Sequence, residues 1–470
     1  MLKRLYSIES LSKKLTLCGD IPLTGGLYKG FLKIAWPAMV ESMLMSLVNL
    51  VDSVMVSSCG SVAVASVGLT NQPRMLFYAI FFALSIAVTA IVSRRKGQDD
   101  RDGANACLSQ AIGLVAVLAV VLCGAGIAIS EPLLVFSGAN EETLPLATPY
   151  FQITMVGLVF TSFGLIINAA QRGSGNTKIS MRTNIVANVT NIFFNYLLIN
   201  GIWFFPELGV TGAAIATLIG NIASFSMSLF SLFGKNKYLT FSFKRIIHWN
   251  ASLIKTIARV AVGAGVEQLA MRFGFFVYAK MVADLGTAEL ATHTICMSII
   301  TISFASGDGL SVAASALIGQ NLGKRRPDLA TLFAKAGQRI GLCMSVIIGL
   351  LLVLCGGLML LMFTDSTDEN FEYIMSVGRN ITYIIAIVSP GQISQVIYNG
   401  ALRGAGDTKF VAITSAISIG AIRPFMAWLL CYPCGMGLYG AWVSLLIDQY
   451  VRLAFSAYRF ASGKWASVKV

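Results

Sequence analysis

Apolar runs of twenty or more residues follow one another along this chain with so little between them that the backbone has few options. Cutting at charged or Gly/Pro/Asn-rich punctuation gives twelve spans: 30–58, 63–92, 105–129, 144–171, 179–201, 209–233, 255–283, 288–318, 331–363, 373–402, 408–432 and 436–461. In hydrocarbon each segment must satisfy its own N–H and C=O groups, so spans of this length are helices. The expected fold class is an all-α polytopic membrane protein of twelve transmembrane helices. Only 12% of the 470 residues are charged, against about 25% in soluble proteins.

The segments between spans alternate in charge. One side holds Arg94, Arg95 and Lys96; Arg172, Lys178 and Arg182; Lys235, Lys237, Lys244 and Arg245; Lys324, Arg325 and Arg326; and Arg403 and Lys409. The other holds Glu131, Glu141, Glu142, Glu207, Glu289, Asp365, Asp368 and Glu369. By the positive-inside rule both termini are cytoplasmic, as an even number of spans requires. The same rule accounts for the formal net charge of +13 without nucleic acid as a partner; the partner implied is the lipid bilayer. The first 29 residues carry Lys3, Arg4, Lys13 and Lys14 but no apolar core with a small-residue cleavage site, so no cleaved leader is expected. Nine cysteines are scattered without framework spacing, and Cys431–Cys434 reads as an accidental CxxC.

An internal repeat constrains the topology further. AWPAMVESM from Ala35 aligns with AVGAGVEQL from Ala261, which sets Glu41 on Glu267. The same register carries Gly60 onto Gly286, Leu84–Ser85 onto Leu310–Ser311 and Gly97 onto Gly323. QRGSGNTK from Gln171 returns as LRGAGDTK from Leu402, and GVTGAA from Gly209 as GLYGAW from Gly437. An even number of spans per copy makes the repeat parallel, and repeat-built transporters hold their sites near the midplane. The organisation read from this is a tail (1–29), a first lobe (30–233), a basic linker (234–254), a second lobe (255–461) and a tail (462–470).

An acid inside a membrane span is costly enough to mark a functional candidate. The first span carries two, Glu41 and Asp52, eleven residues apart on nearly one face and about 16 Å apart in height. Ser42, Ser46, Asn49 and Ser53 line the adjoining stripe. Glu41 has the twin Glu267, which also suits a scaffold role; Asp52 corresponds to Tyr278 and is unique to the first lobe. Pro37 removes one helix hydrogen bond and is the candidate hinge, or else a static kink. In the fifth span Asn184, Asn188, Asn191 and Asn195 line one helical face, either as interhelical glue or, for Asn191 and Asn195, as partners of Asp52. The second-lobe candidates are Glu267, Asp308 and Gln392; Arg272, Lys280, Arg423, Asp448 and Arg452 suit internal ion pairs. Two isolated histidines, His248 and His293, make no metal site. No phosphate loop, nucleophile elbow or HExxH is present, so the chain is not expected to be an enzyme.

Two six-span lobes, the repeated RG(S/A)G(N/D)TK turn, SVAASALIGQNLG from Ser311 and ELGVTGAAIAT from Glu207 resemble the multidrug and toxic compound extrusion (MATE) family over residues 30 to 460. The resemblance implies a V-shaped antiporter that exports small organic cationic or amphipathic compounds in exchange for H⁺ or Na⁺. It further implies no cofactor, no metal beyond Na⁺, a monomer and a bacterial inner-membrane location. The spacing of Pro37 and Asp52 resembles the DinF-like branch, in which the matching acid binds the coupling cation. Asn191 and Thr217 match the asparagine and threonine of that site, whereas Asn195 stands where an Asp is usual. The seventh-helix Glu and tenth-helix Asp of the NorM-like branch fall on Met271 and Gln392. The rival reading is a lipid-linked precursor flippase of the related superfamily, which calls for more spans and a cationic cavity; a channel is the other.

Overall fold

The computed structural model describes residues 7–12, 17–57, 59–202, 205–233, 237–242, 245–246, 248–364 and 370–468. Lys3, Arg4, Lys13, Lys14, Lys235, Lys244, Asp365, Asp368 and Glu369 lie outside them, as do the side chains of Asn49 and Ser53.

Among the described residues there is no strand. A short α1 (Ile8–Ser12) precedes α2 (Thr24–Ser57), α3 (Ser61–Gly97), α4 (Arg101–Ala128), a short α5 (Ser130–Phe136), α6 (Leu144–Gly173), α7 (Thr177–Asn200) and α8 (Gly209–Phe230). After the linker come α9 (Ala251–Ala283), α10 (Thr287–Gly323), α11 (Pro327–Leu361) and α12 (Phe371–Gly404). Then α13 (Thr408–Ile417) passes through a π-turn (Ser418–Ile422) into α14 (Arg423–Cys431), and α15 (Gly437–Ala461) follows. Counting α13 to α14 as one rod, twelve helices among the described residues are long enough to cross a bilayer, and each falls on one predicted span.

The differences have local causes. α2 begins six residues before the predicted 30, because Leu27 is buried with Leu11, Leu332 and Ala336 in a small core against α1 and α11. The break in the eleventh span precedes Pro424, whose missing N–H and bulky ring disfavour the regular ladder in the preceding turn. α7 and α15 are not among the ten helices that pass a simple test of length and hydropathy, because their interior faces carry amides or charges.

The repeat is written into the backbone. Gly175 and Gly406 take φ of +90° and +89° in the two RG(S/A)G turns, a region open to glycine. Each turn is closed alike, by Asn176 N–H to Gln171 O at 2.8 Å and Asp407 N–H to Leu402 O at 2.9 Å. At Gly173 a Cβ would lie 2.8 Å from Thr89 O, and at Gly404 2.2 Å from Ser315 O. Both positions therefore let one helix backbone rest on another, α6 on α3 and α12 on α10.

By packing, the chain forms two compact units that differ from the repeat halves. One comprises residues 40–265; the other comprises 1–39 and 266–470. We call them the Asp52 unit and the C-terminal unit. The divisions fall inside α2, after Met39, and inside α9, after Gly265, at one register of the repeat and two residues past Pro37 and Gly263. In the Asp52 unit α7 lies along α8, and α6 along α3 and α8. In the C-terminal unit α12 is central, packed by α10, α11 and α15. Leu342, Val346, Leu350, Leu354, Leu358 and Leu361 of α11 are exposed, the face such a helix gives to lipid.

Candidate functional site

The amides of α7 recur at three and four residues, so Asn191 and Asn195 stand one turn apart on one face. Asn195 Nδ2 donates to Asn191 Oδ1 at 3.2 Å and to Asp52 Oδ1 at 2.7 Å. Thr217 of α8 is within reach because α8 is smooth there: a Cβ on Gly220 would meet Ala187 O at 2.8 Å, and one on Gly212 would meet Leu198 O at 2.5 Å. The Asn191 amide lies 3.2 Å from Thr217 Oγ1, which donates to Ala213 O at 2.9 Å. Turned so that its oxygen faces Thr217, that amide gives up the bond from Asn195 and sets its nitrogen 2.8 Å from Asp52 Oδ1 instead, and hydrogen-bond balance favours this orientation. The structure thus brings Asp52, Asn191, Asn195 and Thr217 into one hydrogen-bonded set.

Asn195 Oδ1 is buried and has no partner among the described residues. An unused acceptor beside a carboxylate offers two oxygens to a proton or a hard cation that takes oxygen ligands. Two neighbours escaped the reading of the sequence. The charge of Arg74, on α3, acts on Asp52, and both groups act on the buried Tyr150 of α6. Arg74 was open to discovery as the only basic residue inside the predicted 63–92 span.

Glu41 stands outside that set. Its Oε1 accepts from Asn184 Nδ2 at 2.7 Å, Ser180 Oγ at 2.8 Å and Arg172 Nη1 at 3.4 Å. Glu267 repeats the arrangement in the C-terminal unit, accepting from Arg403 and, at 3.3 Å, from Ser415 Oγ. Arg172 and Arg403 are the arginines of the two RG(S/A)G turns, so each turn grips the first helix of its repeat just past the point where that helix changes unit. Pro37 lies within an unbroken α2.

The other second-lobe candidates do not gather into a comparable site. Asp308 is exposed, and the charge that acts on it is that of Arg403. Gln392 is fully buried, with neither amide atom partnered among the described residues. Asp448 is held by Arg423, by Arg452 at 3.0 Å and by Ser418 Oγ at 2.6 Å. Among the described residues no group of His, Cys, Asp or Glu side chains suits a metal ion. Cys431 is buried and Cys434 exposed, and neither is in a disulfide.

A helical bundle with this repeat has counterparts. The MatE sequence profile matches residues 37–197 and 264–429. The chain belongs to the MatE family. Among curated MatE relatives, the probable multidrug resistance protein NorM of Thermotoga maritima is 26% identical over 438 residues, 93% of each chain. The uncharacterized transporter YisQ of Bacillus subtilis is 26% identical over 92% of this chain and 94% of its own. Among solved structures, a MATE protein in the bent conformation superposes with a TM-score of 0.84 at 21% identity, over 94% of this chain and 97% of its own. An outward-facing multidrug resistance MATE transporter of the MOP superfamily gives 0.85 at 21% identity, over 93% and 97%. This is therefore a multi-pass membrane transporter of the MatE family and not an enzyme.

Proposed function

We propose that this MatE protein is an antiporter exporting small organic cationic or amphipathic compounds in exchange for H⁺ or Na⁺, with Asp52 as its coupling carboxylate. The observation that carries the reading is the set of Asp52, Asn191, Asn195 and Thr217, in which one carboxylate is held by amide N–H groups and the Asn195 oxygen is a buried acceptor to spare. Proton or Na⁺ and the cationic group of a substrate then compete for one negative charge, and occupancy by one releases the other. Asn195 in place of a second acid leaves a single formal charge, which suits a monovalent ion. Pro37, two residues before α2 changes unit, is the hinge in this reading. Met271 and Gln392, both uncharged, offer no second carboxylate pair where the NorM-like branch has one. This favours the DinF-like pattern although several relatives bear the NorM name. The protein acts as a monomer in a bacterial inner membrane with both termini cytoplasmic. Twelve long helices among the described residues, rather than more, weigh against the flippase reading.

The test is drug-driven H⁺ or Na⁺ flux in proteoliposomes. Asp52→Asn is expected to lose coupling while remaining folded, whereas Glu267→Gln lowers the yield of folded protein and leaves the surviving molecules coupled. Wild-type coupling in Asp52→Asn sinks the proposal, and solute passing down its gradient without ion movement would make the protein a channel.

A further inference from the structure

Within the C-terminal unit, the chain ahead of α2 is seated on α11 at several points. Leu11 of α1 and Leu27 of α2 are buried with Leu332 and Ala336. Lys335 Nζ donates to Leu11 O at 2.8 Å, and Arg339 Nη2 to Ser10 Oγ at 2.7 Å. Nearer to α2, Cys18 N–H donates to Asp328 Oδ2 at 3.1 Å. Arg326 Nη2, which also holds Asp328 at 2.8 Å, donates to Asp20 O at 3.1 Å. The first half of α2 continues along the same helix: Phe31 is fully buried, and a Cβ on Gly337 would lie 2.6 Å from its ring.

That half ends at a crossing. A Cβ on Gly309 of α10 would lie 2.4 Å from Met39 N and 2.5 Å from Met39 Cα, so the two backbones touch with no side chain between them. The register of the repeat sets Met39 on Gly265 and Gly309 on Ala83. In the Asp52 unit the approach recurs with the glycine on the other helix: a Cβ on Gly265 of α9 would lie 3.8 Å from Ala83 Cβ of α3. The start of α9 is also held ahead of its crossing. Gln110 of α4 donates to Arg245 O and His248 O at 2.8 Å each and accepts from Asn250 N–H at 3.1 Å. Asn105, on the same helix, accepts from Thr240 N–H at 2.7 Å. The third span of each repeat thus anchors the segment that leads into the first helix of the other.

A helix held at its start and again at residue 39 has little freedom between the two. Where backbones touch, sliding drives side chains into close-packed neighbours, whereas tilting about the contact displaces few atoms. Pro37 has already removed one rung of the ladder just ahead of that contact. We propose that the segment ahead of α2 is a strap that keeps residues 24–39 seated on α11 and α10 throughout the transport cycle, and that the Met39–Gly309 contact is the pivot about which the rest of α2 turns. This rests on the reading of Pro37 as the hinge, but on neither Asp52 nor the identity of the exported compound.

The test measures distances between paired spin labels on full-length protein, freed of native cysteines, in nanodiscs. One pair, Lys29→Cys with Leu47→Cys, spans α2 across the pivot. The other, Lys29→Cys with Tyr458→Cys, lies within the C-terminal unit; all three positions are exposed. A tilt of about 15° moves a label ten residues, about 15 Å, from the pivot by about 4 Å. With the strap intact, the distribution for the pair across the pivot is expected to be broad or two-peaked, and that for the pair within the unit narrow. Leu11→Asp, which forces a charge into the buried anchor of the strap, should broaden the within-unit distribution by about the 4 Å of that tilt. Leu11→Ala should broaden it in part and serves if Leu11→Asp is not recovered folded; Leu11→Met should leave it narrow. A within-unit distribution as broad as the other, or one that both Leu11→Asp and Leu11→Ala leave narrow, overturns the strap. A distribution across the pivot as narrow as the one within the unit overturns the pivot. The coupling role of Asp52 is read by ion flux, so the two proposals fail separately.

Discussion

Glu41 and Asp52 lie on one helix and lose the same charge when amidated, yet the structure expects opposite consequences. Glu41 Oε1 accepts from Asn184 at 2.7 Å and Ser180 at 2.8 Å, with Arg172 at 3.4 Å. Hydrogen bonds to an ionised group contribute about 1.5–3 kcal/mol each against about 1 kcal/mol for neutral ones. In Glu41→Gln the two short bonds survive in weakened form, a loss of about 1 kcal/mol apiece. Arg172 keeps only its bond to Ser180 Oγ, 3.1 Å away, which costs about 1 kcal/mol more. The sum, about 2–4 kcal/mol, lies near the cost of breaking a buried pair. Asp52→Asn keeps an oxygen for the Asn195 amide and strands no bonded cation, so its cost stays within about 1 kcal/mol. Thermal inactivation midpoints of the two variants and of Glu267→Gln, in one detergent, check this. The glutamate variants should fall together, well below Asp52→Asn. If Asp52→Asn falls as far as Glu41→Gln, or Glu41→Gln keeps the wild-type midpoint, the division between scaffold acid and working acid is wrong.

Gly404→Ala sets a Cβ 2.2 Å from Ser315 O; the overpacking costs about 1–3 kcal/mol, more than the about 1 kcal/mol of helix propensity gained. Gly357→Ala on α11, with nothing within 4 Å, should instead leave the inactivation midpoint unchanged or higher. Arg74→Gln removes a cation that competes for Asp52, and titrations of coupling-ion binding should show a few-fold tighter affinity. In cells, a membrane-impermeant maleimide should label single-cysteine protein at the exposed Cys434 directly and at the exposed Cys18 only after permeabilisation; the reverse order would invert the orientation.

Much of the fold lies in short-range signals. The punctuation before Leu144 and Gly209 places those helix starts at the residue, and the three-and-four spacing of asparagines on α7 marks the face that meets Asp52. The duplicated RG(S/A)G(N/D)TK turn foretells two turns of the same φ. What stays hidden depends on distance in space. Nothing local ties Arg74 to Asp52, or Lys335 to Leu11. The bond between Glu41 and Arg172 spans most of a repeat, so the shared glutamates are visible in the alignment but their partners are not. Which half of α2 packs into which unit is decided by neighbours hundreds of residues away, and Pro37 with its counterpart Gly263 is the only local mark of the change.

The exchange of helix ends ties the two copies of the repeat to each other. The start of α2, before residue 40, belongs to the unit that holds most of the second copy, and the start of α9, before residue 266, to the unit that holds most of the first. One copy cut out by itself thus lacks the helix start that completes its core. Because both copies lie in one chain they need not be alike, and an acid at position 52 can stand where its counterpart, 278, is a tyrosine: a division of labour that identical subunits cannot encode.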